Sequence, residues 1–317
     1  MDPQQSDPNQ LGYSLANVAE ILLPCLEAAR AKSVLEIGAY RGELTGELLD
    51  WAADSGAGVT AVEPAPRPPL PEIAKSRPEL DLLTETSHEA LRRPERHDAV
   101  VIDGDHNYYT LSEELRLIWD KGSEGAAPLV LFHDLCWPHA RRDTYYAPER
   151  IPEEQRQPLA HNAGLAPGEP GVVENGLPFT WAAEREGGER NGTLTAIEDF
   201  MAGRAGLRLA VVPAFFGLGV LWHEDAPWAP RVAQVVDPWD RHPVLKRLEA
   251  NRVAHLVSNF ARARELERER ERRNRQEELL YAILGSSAFA LAERLARLRA
   301  RGRPTFSRQE IRRALGL

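Results

Sequence analysis

Apolar residues in the first part of the chain gather in short runs, and the stretches between them place apolar positions at helical spacing. Runs at 33–38, 59–63, 80–83, 98–103 and 128–134 predict five strands. Leu15, Val18, Ile21, Leu22, Cys25 and Leu26 predict a helix over 15–31, with Pro24 at a kink or boundary, and further helices fall at 42–53 and 110–120. Strands that alternate with helices lie parallel and are joined by right-handed crossovers, so the fold class is α/β. The proline-rich 64–71 stops the second strand. Residues 136–191, rich in Pro, Gly, Arg and Glu and without periodicity, read as a structureless insertion of the kind that serves as a lid or binding loop. Regularity resumes with a helix from 191 to 200 and strands at 207–213 and 217–222. These two strands form an antiparallel pair at the edge of a mostly parallel seven-stranded sheet. From 242 the pattern is helical to the end. Val244, Leu245, Leu248, Val253, Leu256, Val257 and Phe260 form a stripe, 262–278 alternates Glu and Arg as a solvated helix does, and Ser307-x-x-Glu310 is a capping box.

With 317 residues, 43% of them hydrophobic, the chain can build one large domain with additional elements. The net charge of -9 argues against a general nucleic-acid binder, and no stretch approaches the ~20 apolar residues of a membrane helix. The charge divides the chain. Residues 1–239 hold 20 Lys and Arg against 38 Asp and Glu, whereas 240–317 hold 19 against 10. This separates a main domain, with 136–190 as its insertion, from a basic helical extension suited to packing on the body or, in a homo-oligomer, on a second copy. Cys25 and Cys136 form neither a disulfide framework nor a zinc pattern, and the polar start lacks the apolar run of a signal peptide, which together point to the cytoplasm.

Ligands of open parallel sheets bind beyond the carboxyl ends of the strands. At the first strand end, Glu36-Ile-Gly38-Ala-Tyr40-Arg-Gly42 lets the backbone approach a ligand closely but departs from the dinucleotide spacing G-x-G-x-x-G. Its Glu36 suits a cationic ligand better than a pyrophosphate. Glu63 ends the second strand, where a carboxylate can accept ribose hydroxyls. The fourth strand ends in Asp103-Gly104-Asp105-His106 and the fifth in His133-Asp134. Asp103, His133 and Asp134 can serve as ligands of a hard divalent ion such as magnesium, and the histidine tilts the set toward manganese or iron. His106 is the first candidate for a general base and His133 the second.

The segment 34–42 resembles motif I of class I S-adenosylmethionine-dependent methyltransferases and is especially similar to catechol O-methyltransferases, with the likeness extending over 13–223. The resemblance implies a Rossmann-like fold. It also implies that Glu36, Gly38, Tyr40 and Gly42 surround the methionine part of S-adenosylmethionine, that Glu63 holds its ribose and that Ser87 and His88 flank its adenine. Asp103 is counted both with these cofactor contacts and with the metal ligands. Metal-dependent O-methyltransferases, among them those acting on macrolide sugars, carry an acidic residue after the fourth strand and an acidic pair after the fifth. Asp103 and Asp134 match that pattern, while His133 replaces the first acid of the pair. The Asp-Gly-Asp-His segment is similar to family-24 methyltransferases and to cephalosporin-hydroxylase-like proteins. The expected activity is metal-assisted O-methylation of a sugar or glycosylated natural product. The insertion, with Trp137, Arg141, Arg142, Asp143, Tyr145 and Tyr146, is expected to grip the acceptor ring. Two other readings stand beside it: an iron-dependent oxygenase in which His106 joins His133, Asp134 and Asp103, and a non-catalytic protein that binds a partner through its basic tail.

Overall fold

A computed structural model describes residues 12–121, 127–299 and 307–315. The leader at 1–10 lies outside the described residues. The chain divides into two compact units, Met1–Ala261 and Arg262–Leu317.

In the first unit a 3-10 turn, Leu15–Val18, leads into α1 (Ala19–Ala29). Pro24 lies inside this helix and not at its boundary. The elements β1 (Ser33–Ile37), α2 (Glu43–Ser55), β2 (Gly58–Val62), α3 (Leu70–Ser76), β3 (Leu80–Leu83), α4 (Ser87–Arg92), β4 (Ala99–Ile102), α5 (Tyr108–Asp120) and β5 (Leu129–Phe132) follow. After the insertion come α6 (Thr193–Ala202), β8 (Leu207–Val212), β9 (Leu218–His223), α7 (Ala229–Val236) and α8 (Pro243–Gly285), the last of which continues into the second unit. The sheet order is β3-β2-β1-β4-β5-β9-β8; β1 to β5 are parallel and β9 runs antiparallel to β5 and β8. The expected α/β class and seven-stranded, mostly parallel sheet are therefore present, with the antiparallel pair at one edge.

Successive strand residues point to opposite faces. Val34, Val59, Ala61, Val101 and Leu131 pack on one face beneath α1, α2, α3 and α7, and Leu35, Ile37, Val100, Ile102 and Phe132 pack on the other beneath α4, α5 and α6. The first unit is thus a three-layer sandwich whose strands, covered on both faces, read as continuous apolar runs. Local signals fix the helix ends. Gly42 and Gly56 bound α2 with left-handed backbone, Thr86 and Glu89 form a capping box on α4, and the Asn107 side chain accepts the Thr110 N–H at 2.8 Å.

The insertion is not structureless. It contains β6 (Leu159–Leu165) and β7 (Leu177–Ala183), an antiparallel hairpin forming its own two-stranded sheet. Buried polar side chains tie it to the domain. Asp143 Oδ1 accepts the N–H of Tyr108 at 2.8 Å and of Gly192 at 2.7 Å, at the starts of α5 and α6. Asn191 accepts the Asp143 N–H at 2.7 Å and donates to the carbonyls of Arg185 and Gly187. Arg142, buried, donates to Ala183 and Pro170 carbonyls.

The second unit begins within α8 at Arg262, later than the border near 240 suggested by charge, and contains α9 (Ser287–Arg299) and α10 (Arg308–Leu315). The charged stretch 262–278 is helical and mostly exposed, and Ser307 and Glu310 form the expected capping box. Among the described residues no single helix is long and apolar enough to cross a membrane.

Because Asn191 is buried and makes all three bonds with its side chain, Asn191→Ala leaves one N–H and two carbonyls without partners. The variant is expected to lose about 2–4 kcal/mol of unfolding free energy in urea titrations; a midpoint equal to wild type would show that the insertion is not held through this residue.

Candidate active site

Hydrogen bonding runs one residue past the strand ends. Glu63 N–H donates to Leu83 O at 3.0 Å, Gly38 N–H to Val62 O at 2.9 Å, Asp103 N–H to Ile37 O at 2.8 Å and His133 N–H to Ile102 O at 2.9 Å. Ile37 is level with Val62 and Ile102, and Ile102 with Phe132. Glu63, Gly38, Asp103 and His133 therefore form one row at the carboxyl edge of the sheet.

Gly38 has φ +88°, and a Cβ there would overlap the Asp103 carbonyl. Left-handed backbone recurs at Tyr40 (φ +45°) and Gly42 (φ +93°), folding the turn back so that Gly42 N–H reaches Ala39 O at 2.7 Å. Glu63 secures this turn: Oε2 accepts the Tyr40 N–H and Oε1 the Ala65 N–H, each at 2.9 Å. Glu36 is buried on the α2 side, where it accepts the Thr45 hydroxyl at 2.6 Å. Burial pushes its carboxyl up to about 8 even though the Thr45 bond opposes the shift. Ser87 and His88 lie at the start of α4, outside the row. His88 Nε2 donates to Thr110 O at 3.2 Å, so it is a bound histidine and not an exposed loop residue.

Five titratable groups meet at the ends of β4 and β5. His106 Nε2 lies 2.8 Å from Asp134 Oδ2 and 3.5 Å from Asp103 Oδ1, and His133 Nδ1 lies 3.1 Å from Asp103 Oδ1 and 3.5 Å from Asp134 Oδ2. His139, which the sequence did not single out, faces Asp134 Oδ1 at 3.9 Å, and its ring centre is 4.5 Å from that of His106. Two ligand-sized sets share Asp134: Asp103, His133 and Asp134, and His106, Asp134 and His139. Burial alone would raise the carboxylates and lower the histidines, but mutual charge outweighs it for four of the five. Asp103 and Asp134 are held below the ordinary carboxylate range, chiefly by the charge on His133. His106 is raised by Asp134, and His133 is pushed up to about 9 by Asp134 and Asp103. For His139 burial prevails and lowers it to about 3, leaving a neutral ring whose Nδ1 lies 3.0 Å from the Thr144 hydroxyl.

A second unforeseen group is the Glu114 carboxyl of α5, buried beside Gly104 and pushed up to about 8 by burial. The insertion forms a wall along the cluster: Thr144 N–H donates to His106 O at 2.9 Å and Tyr146 N–H to Asp105 Oδ1 at 3.1 Å. Of its side chains expected to grip an acceptor, most are engaged within the protein. Arg141 pairs with Glu198, Arg142 holds the hairpin, and the Tyr145 hydroxyl donates to Asp143 Oδ2 at 2.8 Å. Trp137 packs in an apolar cluster with Leu177 and Phe216. Tyr146 remains exposed, with its ring 5.7 Å from that of His106.

Residues 35–135, from within β1 to just past Asp134, match a family model described as a methyltransferase domain. No curated protein matches the chain at a significant level. Similar solved structures include a Podospora anserina methyltransferase bound to S-adenosylhomocysteine, at 16% identity and TM-score 0.44 over 70% of this chain and 84% of the other. A Burkholderia thailandensis 1,6-didemethyltoxoflavin N1-methyltransferase gives 16% identity and TM-score 0.39 over 66% and 77%. Human N-acetylserotonin methyltransferase gives 13% identity and TM-score 0.36 over 68% and 59%.

Gly38→Ala tests the row directly, since it adds both a clash with the β4 backbone and a left-handed alanine. A stability loss of at least about 2 kcal/mol is expected by denaturant titration. An unchanged midpoint would mean that β1 and β4 are not in the close contact described.

Proposed function

We propose that the chain is an S-adenosylmethionine-dependent O-methyltransferase that uses a divalent metal to prepare a hydroxyl of a sugar or glycosylated natural product. The observation that carries this reading is the row itself, which sets the cluster of Asp103, His133 and Asp134, whose ligand atoms are close enough to share an ion, one strand from the Gly38 turn. A methyl donor at the turn and an acceptor at the cluster would then be neighbours. The match of 35–135 to a methyltransferase domain supports the same assignment.

The donor set fits a metal on its own chemistry. His133 Nε2–H donates to Phe215 O at 2.7 Å, which fixes the tautomer and leaves Nδ1 facing Asp103 and Asp134, as expected of a ligating histidine. Two carboxylates and one imidazole, completed by hydroxyls and water, suit Mg²⁺ or Mn²⁺, and the nitrogen favours Mn²⁺ or Fe²⁺ over the harder ion. When bound, the ion would lower the pKa of the acceptor hydroxyl. S-adenosylmethionine would bring a methyl group activated by its sulfonium charge, with Glu36, Gly38, Tyr40 and Gly42 around the methionine part, Glu63 at the ribose, and Ser87 and His88 beside the adenine. His106 Nε2–H donates to Asp134 Oδ2 at 2.8 Å, which orients the ring and balances the charge that develops when Nδ1 takes the acceptor proton. Tyr146 offers an exposed ring and hydroxyl to a polar acceptor beside His106.

A second reading has its own observation. His106, His139 and Asp134 make a two-histidine, one-carboxylate set of the kind that holds iron in oxygenases.

The two readings separate by product mass, a gain of one methylene against one oxygen. For the transferase, EDTA and Asp134→Ala should each abolish turnover while calorimetry still records S-adenosylmethionine binding. Full activity in a metal-free preparation would remove the metal from the mechanism. His106→Ala should lower kcat by roughly 10²–10⁴-fold with cofactor affinity unchanged, and a loss below ~10-fold would rule His106 out as the base.

A further inference from the structure

The connection between β8 and β9, Ala214-Phe215-Phe216-Gly217, passes through left-handed backbone at three successive residues, with φ of +51°, +67° and +102°. Glycine accepts this at 217, where a Cβ would lie 2.7 Å from Cys136 Sγ. Two phenylalanines do not adopt it without support, because a side chain at positive φ meets its own backbone.

The support comes from Glu249 on α8. Its Oε2 accepts the Phe215 N–H at 3.1 Å and its Oε1 the Phe216 N–H at 2.8 Å, so one buried carboxylate holds both strained residues. Arg252, one helical turn on, donates to the same oxygens at 2.7 and 2.6 Å and lies 4.4 Å over the Phe216 ring. With the Phe215 and Phe216 N–H groups directed at Glu249, the carbonyls of residues 215–217 point toward the end of β5. Phe216 O accepts the Cys136 N–H at 2.6 Å, Gly217 O the Leu135 N–H at 3.3 Å, and Phe215 O the His133 Nε2–H at 2.7 Å.

We propose that Glu249 is a positioning residue for His133. By clamping the Phe215–Phe216 turn it aims the Phe215 carbonyl at Nε2, and this bond holds Nδ1 toward Asp103 and Asp134. The inference rests on the reading of His133 as a metal ligand, and it gives a role to a helix that begins more than a hundred residues beyond the matched segment 35–135. Without the clamp the turn relaxes, the carbonyl turns away and the ring is free to rotate.

The full-length protein with Glu249→Ala, Glu249→Gln and His133→Ala tests this by proton NMR of imidazole N–H groups, Mn²⁺ binding by electron paramagnetic resonance, and thermal melting. In wild type the His133 Nε2–H, identified by its loss in His133→Ala, gives a slowly exchanging downfield resonance. Glu249→Ala is expected to abolish that resonance and weaken Mn²⁺ binding by about 10–100-fold, with S-adenosylmethionine affinity unchanged. Glu249→Gln, which keeps one acceptor oxygen for the turn, should show a smaller loss, and it carries the test if the alanine variant does not fold. A lowered melting temperature with the resonance and Mn²⁺ affinity at wild-type level would make Glu249 merely structural and overturn the proposal. Wild-type Mn²⁺ binding in His133→Ala would instead defeat the ligand reading, while the resonance still decides whether Glu249 orients the ring.

Discussion

Four parallel strands end in register, and the site depends on that alignment. Neighbouring strands lie about 4.8 Å apart, so side chains one strand apart can share an ion or a proton, while those two strands apart cannot. Asp103 and His133, just past adjacent strands, meet at 3.1 Å, and Asp134 joins them beyond β5, where left-handed backbone (φ +61°) ends the alternation of the strand. Glu63, separated from Asp103 by β1, instead binds the backbone of the Gly38 turn. The row thus divides the edge of the sheet between a glycine-bearing turn and a charged cluster of carboxylates and histidines. Gly38 is the residue on which the division hinges, since a side chain there would push β1 away from the Asp103 carbonyl.

Burying two carboxylates and three histidines is costly unless each charge is answered. The fold answers them from three directions. Asp134 has left-handed backbone, φ +61°, and its carbonyl accepts the Thr193 hydroxyl at 2.7 Å, which binds the end of β5 to the start of α6. The insertion brings His139 and pins Thr144 to the His106 carbonyl, while Asp143 secures both through the starts of α5 and α6. The strained β8–β9 turn supplies the carbonyl for His133. Each support is itself hydrogen-bonded within the first unit, and in the segment beside the cluster the Tyr146 side chain is exposed.

The strands were legible because both faces of the sheet are covered, which makes 33–38, 98–103 and 128–134 continuous apolar runs. The row followed from them, since Glu63, Asp103 and His133 stand immediately after such runs. The short α3 was hidden by the prolines at 64–71, although prolines are tolerated in a first helical turn. The β6–β7 hairpin was hidden because Gly164 and Gly176 occupy positions where the backbones nearly touch, so the expected apolar alternation is interrupted. His139 and Glu249 could not be found from spacing. His139 reaches the cluster only through the path of the insertion, and Glu249 lies more than thirty residues from the turn it binds, on a helix whose pattern reports only its apolar stripe. Sequence periodicity records which face of an element is buried, whereas such polar contacts depend on how elements are packed.

The same contacts bear on which of the two sets sharing Asp134 holds a cation. The folded chain places extra protons on His106 and His133, and their combined charge equals that of one divalent ion, so an ion can displace them without leaving Asp103 and Asp134 unbalanced. If the ion takes Asp103, His133 and Asp134, His106 keeps its 2.8 Å contact with Asp134 through Nε2–H, and its Nδ1 remains available as the base. If it takes His106, Asp134 and His139, the base has to be His133. That ring has Nε2 committed as a donor to Phe215 O and Nδ1 turned to the carboxylates, and its side chain is only 2% exposed, so an acceptor hydroxyl cannot reach it. The bond that makes His133 a suitable ligand also makes it a poor base. The first set therefore favours a transferase with His106 as base, and the orientation of His133 is what separates the two roles.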